Sequence, residues 1–305
     1  MFDNHLNCRG ECAEYLKSLM DVFLFIENRS VRVGAVLGDE RRMSITFDAT
    51  EPRSQGGGEP FNKFDNTTFD AHAELYEIMF ATPYRSELEM PTLSRLLGDI
   101  SGLNVLDYGC GTGHLCRWLR NHGAGEVTGY DVSEGMLDYA REHEVKTPLG
   151  ISYSSPENTF EDNAFDIVLA VYVFPYAPDK KTLISMARDM ARALKPGGRL
   201  ITLPLSPDVS VDPQYYKEHW FTLCVETPRV DGAHVDFKIC HPRRTADIKA
   251  FYWSKETLEE VLKQEGFNSI VWGKFNRPAE SSVNRDLLNH YLQTPHAGII
   301  EAIKG

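Results

Sequence analysis

The sequence predicts an α/β protein built on a parallel sheet, and three observations predict it. A β-type run, Leu103 to Leu106, ends in an acid, Asp107. It meets glycines on alternate positions, Gly109, Gly111 and Gly113, before an amphipathic stretch opens with His114, Leu115, Trp118 and Leu119. A second run, Gly125 to Asp131, also ends in an acid, and SEGMLDYAREH then opens a helix with Ser133 as its N-cap. The segment FDIVLAVYVF, from Phe165, is apolar throughout, as strands buried on both faces of a parallel sheet are.

The first unit reads as strand, tight glycine turn, helix. Glycine has no Cβ and tolerates positive φ, so a ligand can lie against bare backbone there. The turn also aims the N-terminal N–H groups of the helix at that ligand. A dinucleotide fold wants Gly-x-Gly-x-x-Gly, but the residue three after Gly111 is His114. Asp107 lies two residues before the first of these glycines, where it would repel a pyrophosphate. It suits a ligand with a positive charge and an amine, and S-adenosylmethionine has both. Asp131 falls eighteen residues after Gly113, about where a ribose-binding carboxylate belongs in a nucleotide-binding βαβ unit. Further on, ARALKPGGRLITL ends a helix at Lys195, turns on Pro196, Gly197 and Gly198, and starts another strand.

With those segments in hand, the chain resembles the class I S-adenosylmethionine-dependent methyltransferases. VLDYGCGTG matches the first motif of that family, VTGYD the second, LAVYVFPYA the fourth and LKPGGRL the next, in the family's order and spacing. The resemblance covers roughly residues 65–305. FATPYRSELEMPTL, YAPDKKTLISMARDMARALKPGG and FYWSKETLEEVLKQEGFNSIVW further resemble bacterial small-molecule methyltransferases of the toxoflavin-biosynthesis kind. The resemblance implies a Rossmann-like, seven-stranded, mostly parallel sheet with helices on both faces.

The rest of the chain is read around that core. Residues 1–60 form an accessory extension: a helix over Glu11 to Glu27, a hairpin of Val31 to Leu37 with Met43 to Phe47, and a Gly- and Pro-rich linker from Glu51 to Pro60. This helix–hairpin unit is expected to mediate homodimer contacts or to cover one site. The domain proper runs over 61–305. Two helices, about Asp70 to Phe80 and Ser86 to Leu97, precede the core, which spans Leu103 to about Leu205. A cap insertion follows the fifth strand over about 206–245. Its first part, Ser206 to Asp231, is rich in aromatics, and Val235 to His241 reads as an added strand. The tail HAGIIEAIKG reads as a final strand, antiparallel beside the sixth.

Bulk properties narrow the partners. A formal charge of −12 disfavours nucleic acid, whose phosphates need a basic surface. Pro242-Arg243-Arg244 is the nearest thing to a basic patch and reads as a solvated turn. The six cysteines, Cys8, Cys12, Cys110, Cys116, Cys224 and Cys240, show no Cys-x-x-Cys and no paired zinc spacing, so no metal is expected. A reduced, cytoplasmic thiol set is the simplest reading. MFDNHLNCRGE has no basic segment leading to an apolar core, and Ile167 to Pro175 is too short to span a bilayer, so neither a secretory signal nor a membrane anchor is expected.

The resemblance assigns cofactor roles residue by residue. Asp107, Gly109 and Gly111 border the methionine part, and Asp131 holds the ribose hydroxyls. Val132 and Met136 flank the adenine, with a core-packing role for Met136 as the alternative. Relatives place an acid after the third strand for the adenine amino group. Here that stretch is YSSPEN, which leaves Ser155 and Glu157 as candidates. Tyr172 approaches the sulfonium, since aromatic faces attract cations. Tyr76 and Arg85 lie just before the core. Arg85 either meets the cofactor carboxylate or pairs with Glu87 or Glu89. Methyl transfer is a direct displacement at carbon, so alignment matters most, and a base is needed only if the acceptor must lose a proton. Candidate catalytic residues are Tyr172, His219 and Tyr216, with Tyr215 and Tyr176 beside them. Packing is the alternative for each.

The function expected is S-adenosylmethionine-dependent transfer to a small molecule in specialised biosynthesis. Two alternatives stay open: a binder of the same cofactor without transfer, cyclase-like or regulatory, and a protein or RNA methyltransferase. Val173-Phe174-Pro175-Tyr176 lacks the polar amide of the Asn/Asp-Pro-Pro-Tyr motif found in enzymes that methylate amino groups of macromolecules, which weighs against the last.

Overall fold

The computed structural model describes Phe69 and residues 72–305. The N-terminal helix, hairpin and linker, and the boundary near residue 60, lie outside the described residues. Helix α1 is Ala73–Phe80. A π-helical segment, Tyr84–Glu89, then runs straight into α2, Met90–Leu97. The sequence predicts a plain helix from Ser86. The wider turn has a local cause: Pro91 has no N–H to donate to Glu87, and the Met90 N–H reaches back five residues to the Arg85 carbonyl.

The core alternates strand and helix. It comprises β1 Val105–Tyr108, α3 His114–Asn121, β2 Val127–Tyr130, α4 Glu134–Lys146, β3 Ile151–Ser154, β4 Phe165–Val171, α5 Lys180–Ala193 and β5 Leu194–Leu203. After a cap come α6 Lys255–Gln264, β9 Phe267–Trp272, α7 Arg285–Gln293 and β10 Ile300–Lys304. These strands form one seven-stranded sheet in the order β3-β2-β1-β4-β5-β10-β9. β10 runs antiparallel between β5 and β9, as the tail reading anticipates, and the other pairings are parallel. The order reverses between β1 and β4, which opens a crevice at the carboxyl ends of those strands.

Each element follows from its residues. In β4, Ile167, Val168, Leu169 and Ala170 are buried on both faces. Each large aliphatic side chain buried there contributes about 1.5–3 kcal/mol. On one face, α2 and α3 pack Leu93, Leu97, Leu115 and Leu119 against Val105, Val127 and Ile167. On the other, α5 and α6 pack Leu183, Ala187, Met190, Leu258 and Leu262 against Leu106, Val168 and Leu200. Ser133 caps α4 by accepting from the Met136 N–H at 3.2 Å, and Asp179 caps α5 by accepting from the Thr182 N–H at 2.7 Å.

The cap is a three-stranded antiparallel sheet of β6 Phe221–Val225, β7 His234–His241 and β8 Arg244–Phe251. It reaches further along the chain than the expected limit near residue 245. In RTADIKAF, Ala246, Ile248 and Ala250 alternate inward, and β8 pairs with β7 along its whole length. Pro242 and Arg243 form the exposed turn between them. The inner face of this sheet has its own core, in which Phe221, Leu223, Val235, Ile239 and Ile248 meet Leu75, Met79, Tyr84 and Leu88 from the N-terminal helices.

Candidate functional site

A cavity of about 310 Å³ opens at the crevice. Its floor is the turn after β1. Gly109 has φ +80°, and a Cβ there would come within 2.5 Å of the Val173 side chain. Gly111 has φ +52°, and a Cβ there would meet nothing within 4 Å, because its backbone faces the cavity. Asp131, at the end of β2, fastens this turn. Its Oδ2 accepts from the Gly111 N–H at 2.7 Å and its Oδ1 from the Ser133 N–H at 2.9 Å.

Asp107 lies beneath the turn and is 1% exposed. Burial pushes its carboxyl up to about 7, against the opposing effect of the Cys116 thiol, which donates to Oδ2 at 3.2 Å. Nearby Asp131 adds to the rise. A ligand cation beside these two acids would favour the ionised form.

The opposite wall is built by α1, the π-helical turn and the segment after β4. Arg85 is buried, with its guanidinium 3.8 Å from the Phe80 ring centroid and 5.3 Å from that of Tyr172. Of the two glutamates offered by the sequence, Arg85 pairs with Glu89, through Nε at 2.9 Å and Nη2 at 2.7 Å. Burial works against the Arg85 charge, but the Glu89 carboxylate together with Tyr172 and Tyr84 raises the guanidinium pKa on balance. Tyr172 sits at φ +60°, a left-handed conformation that costs of order 1–3 kcal/mol for a non-glycine residue. Its hydroxyl donates to Glu89 Oε2, and its ring stacks at 5.3 Å with His296. Further out, the hydroxyls of Tyr76 and Tyr176 lie 3.4 Å apart, and Phe69 packs edge-on to Tyr176 at 4.9 Å.

Of the residues singled out in the sequence, Tyr76, Arg85, Gly109, Gly111, Asp131, Val132, Met136, Tyr172 and Tyr176 line this cavity, and Asp107 lies under it. Ser155 and Glu157 do not line it. Ser155 is buried beside β3, and Glu157 is exposed on the loop beyond. Tyr216 and His219 do not reach it either, which corrects the expectation of a catalytic role. Tyr216 is fully buried in the cap core, where its hydroxyl donates to the Thr294 carbonyl at 2.8 Å and accepts from the Ser210 N–H at 3.1 Å. His219 is 1% exposed between the rings of Tyr84 and Tyr291, and neither ring nitrogen has a hydrogen-bond partner among the described residues. Burial lowers its pKa to about 4. Tyr172 also cannot serve as a base at neutral pH, since burial and the adjacent Glu89 hold its hydroxyl well above the ordinary tyrosine value.

Sequence reasoning missed Phe69, Phe80, Tyr108, Tyr130 and the polar residues Thr182 and Asp189 on α5, all of which line the cavity. Tyr108 and Tyr130 were legible as the last residues of strands whose neighbours, Gly109 and Asp131, were already marked. Nothing local in α5 distinguishes Asp189 from a surface acid. Among the described residues, no cluster of three or more His, Cys, Asp or Glu could hold a metal ion, and no helix is long and apolar enough to cross a membrane.

Comparison with known proteins bears on what occupies this cavity. A family profile described as a methyltransferase domain matches residues 106–202, the span from β1 to β5. A ubiquinone biosynthesis O-methyltransferase of Coxiella burnetii is 36% identical over 199 residues, covering 63% of this chain and 76% of the relative. A demethylmenaquinone methyltransferase of Lactococcus lactis is 27% identical over 207 residues, covering 63% and 75%. Among solved structures, an S-adenosylmethionine-dependent methyltransferase of Mesorhizobium loti superposes with a TM-score of 0.51 at 22% identity, covering 71% of this chain and 97% of that one. The profile spans the β1–β5 core that carries the cavity, and the Coxiella relative is matched over most of its length. The chain therefore belongs to the class I S-adenosylmethionine-dependent methyltransferases and takes its methyl group from S-adenosylmethionine.

Proposed function

We propose that this methyltransferase acts on a small planar acceptor of the phenol or quinol class, in a biosynthetic reaction. The carrying observation is the outer wall of the cavity. Phe69, Tyr76 and Tyr176 line it with aromatic rings, and the Tyr76 and Tyr176 hydroxyls meet 3.4 Å apart within it. Such a wall stacks on a flat ring and offers hydrogen bonds to its oxygen substituents. The quinone-pathway names of the Coxiella and Lactococcus relatives point the same way.

In this reading Asp107 and the backbone at Gly109 and Gly111 hold the methionine end of the cofactor, with Arg85 toward its carboxylate. Asp131 takes the ribose hydroxyls, and Val132 and Met136 enclose the adenine. The bound cofactor supplies an activated methyl group, so the protein's work is alignment and exclusion of water. The ring of Tyr172 faces the cavity and favours positive charge there. Among the described residues, no histidine lines the cavity. Burial holds the hydroxyls of Tyr76 and Tyr176 above the ordinary tyrosine range, which makes them donors rather than bases. An acidic phenol that arrives ionised needs no base, and these donors would orient its oxygen.

The test uses methyl-labelled S-adenosylmethionine with a panel of catechols, hydroxyquinols, aliphatic amines, RNA and protein. Label is expected in an extractable aromatic product, and Tyr176→Phe should lower kcat/KM for that acceptor without moving affinity for S-adenosylhomocysteine. Label recovered in RNA, protein or aliphatic amines would overturn the reading.

A further inference from the structure

We propose that Glu89 is a positioning residue that sets the preference of this site for a cationic sulfur over a neutral one. It would do so by neutralising Arg85 and anchoring Tyr172. The inference rests on the reading that Arg85 and Tyr172 face the methionine end of the cofactor.

The local sequence explains the placement. Within YRSELE, the π-helical turn buries Tyr84, Arg85, Leu88 and Glu89 together, so a cation and an anion enter the interior on one face. Arg85 lines the cavity, and Glu89, which is 0% exposed, stands behind it. Its two oxygens divide the work. Oε1 accepts from Nε of Arg85 and forms an ion pair with its Nη2, and Oε2 accepts from the Tyr172 hydroxyl. Among the described residues Nη1 of Arg85 makes no hydrogen bond, so the guanidinium keeps an edge for an anion. The Tyr172 ring is held at both ends, by a backbone at φ +60° and by the Glu89 bond at its hydroxyl.

The charge logic follows from that arrangement. Arg85 alone would be an uncompensated cation 5.3 Å from the ring that draws a sulfonium. It would oppose the positive sulfur while attracting the carboxylate. Glu89 cancels the unwanted part at short range and leaves the hydrogen-bond geometry in place. S-adenosylmethionine and S-adenosylhomocysteine share carboxylate, amine, ribose and adenine. They differ in one methyl group and in the charge on sulfur. A residue acting through charge therefore moves their affinity ratio, whereas one acting through packing moves both affinities together.

The experiment is calorimetry of both ligands on the full chain, with the melting temperature of the unliganded protein recorded alongside. Glu89→Gln keeps the side-chain shape and removes the charge. It should weaken S-adenosylmethionine on the order of tenfold more than S-adenosylhomocysteine. Arg85→Gln should weaken both but shift the ratio toward S-adenosylmethionine, because it leaves the anion behind. It also tests the inference if Glu89→Gln does not fold. The Arg85→Gln/Glu89→Gln double variant should restore the wild-type ratio. A ratio that stays constant across the variants, whatever the separate affinities do, would overturn the inference and leave the site assignment standing. A wild-type chain that binds neither ligand would overturn the site assignment and this inference with it.

Discussion

The glycine-turn cavity and the cap are both rich in residues that read as functional, yet they are built in opposite ways. Around the turn, Asp107, Gly109, Gly111 and Asp131 converge from the ends of β1 and β2, and their polar atoms are aimed at one space. In the cap, Tyr216, His219 and Phe221 converge too, but on one another and on Tyr84, Tyr291 and His296, and all three are buried there. The contrast lies in what each residue type can do elsewhere. A glycine at positive φ beside an acid at a strand end has little structural use in a buried core. An aromatic ring serves a core as well as it serves a substrate wall.

Substitutions can break or sharpen that contrast, and cofactor affinity ranks them. Gly111→Val should have the largest effect. Its backbone sits at φ +52° and faces the cavity, so a branched side chain is strained and stands where the ligand belongs. Binding of S-adenosylhomocysteine by calorimetry should be abolished while the protein stays folded. A folded variant with wild-type affinity would mean the turn is not the ligand floor.

Acidity should have an intermediate effect through Asp107. With its carboxyl raised to about 7, chiefly by burial, the unliganded site is half protonated near neutrality. A ligand ammonium group requires the ionised form, so affinity should rise on the order of tenfold between about pH 6 and about pH 8. Asp107→Asn should be weaker throughout and nearly flat over that range. Stability runs the other way. A carboxyl raised in the fold contributes fully below its ordinary 3.8, and that contribution is lost as pH climbs through about 7. Melting temperature of the unliganded wild type should therefore carry a component that falls with pH and is absent in Asp107→Asn.

The smallest effect on affinity should come from the cap. Tyr216→Ala removes a fully buried ring and its bond to Thr294, and should cost on the order of 3–5 kcal/mol of stability. His219→Ala should also lower the melting temperature. Both should leave S-adenosylhomocysteine affinity within about twofold of wild type, since neither side chain lines the cavity. Thermal shift and calorimetry on the same samples check this. A cap variant that binds poorly at unchanged stability would return these residues to the site.

What the sequence determined by itself is the β1–β5 core and its ligand edge. Strand periodicity, the Ser133 cap, the alternate glycines and the two strand-end acids are local features, set by neighbours a few residues away. VLDYGCGTG and VTGYD carry the same information as the folded turn because backbone sterics and short hydrogen bonds, from Gly109 and Cys110 to Tyr130 and from Gly111 to Asp131, connect them. Only the tertiary structure decided the other wall. Pairing Arg85 with Glu89 rather than Glu87 follows from i,i+4 spacing on a helix, but burying that pair behind the cavity depends on distant packing, and anchoring Tyr172 on Glu89 joins residues 83 positions apart. Asp189 faces the cavity because α5 happens to present that side to β1 and β2, and Tyr216 and His219 are core because the cap sheet packs on the N-terminal helices. In each of these cases a side chain's role follows from which face a distant element covers. Periodicity can mark that a face is buried, but not what it is buried against.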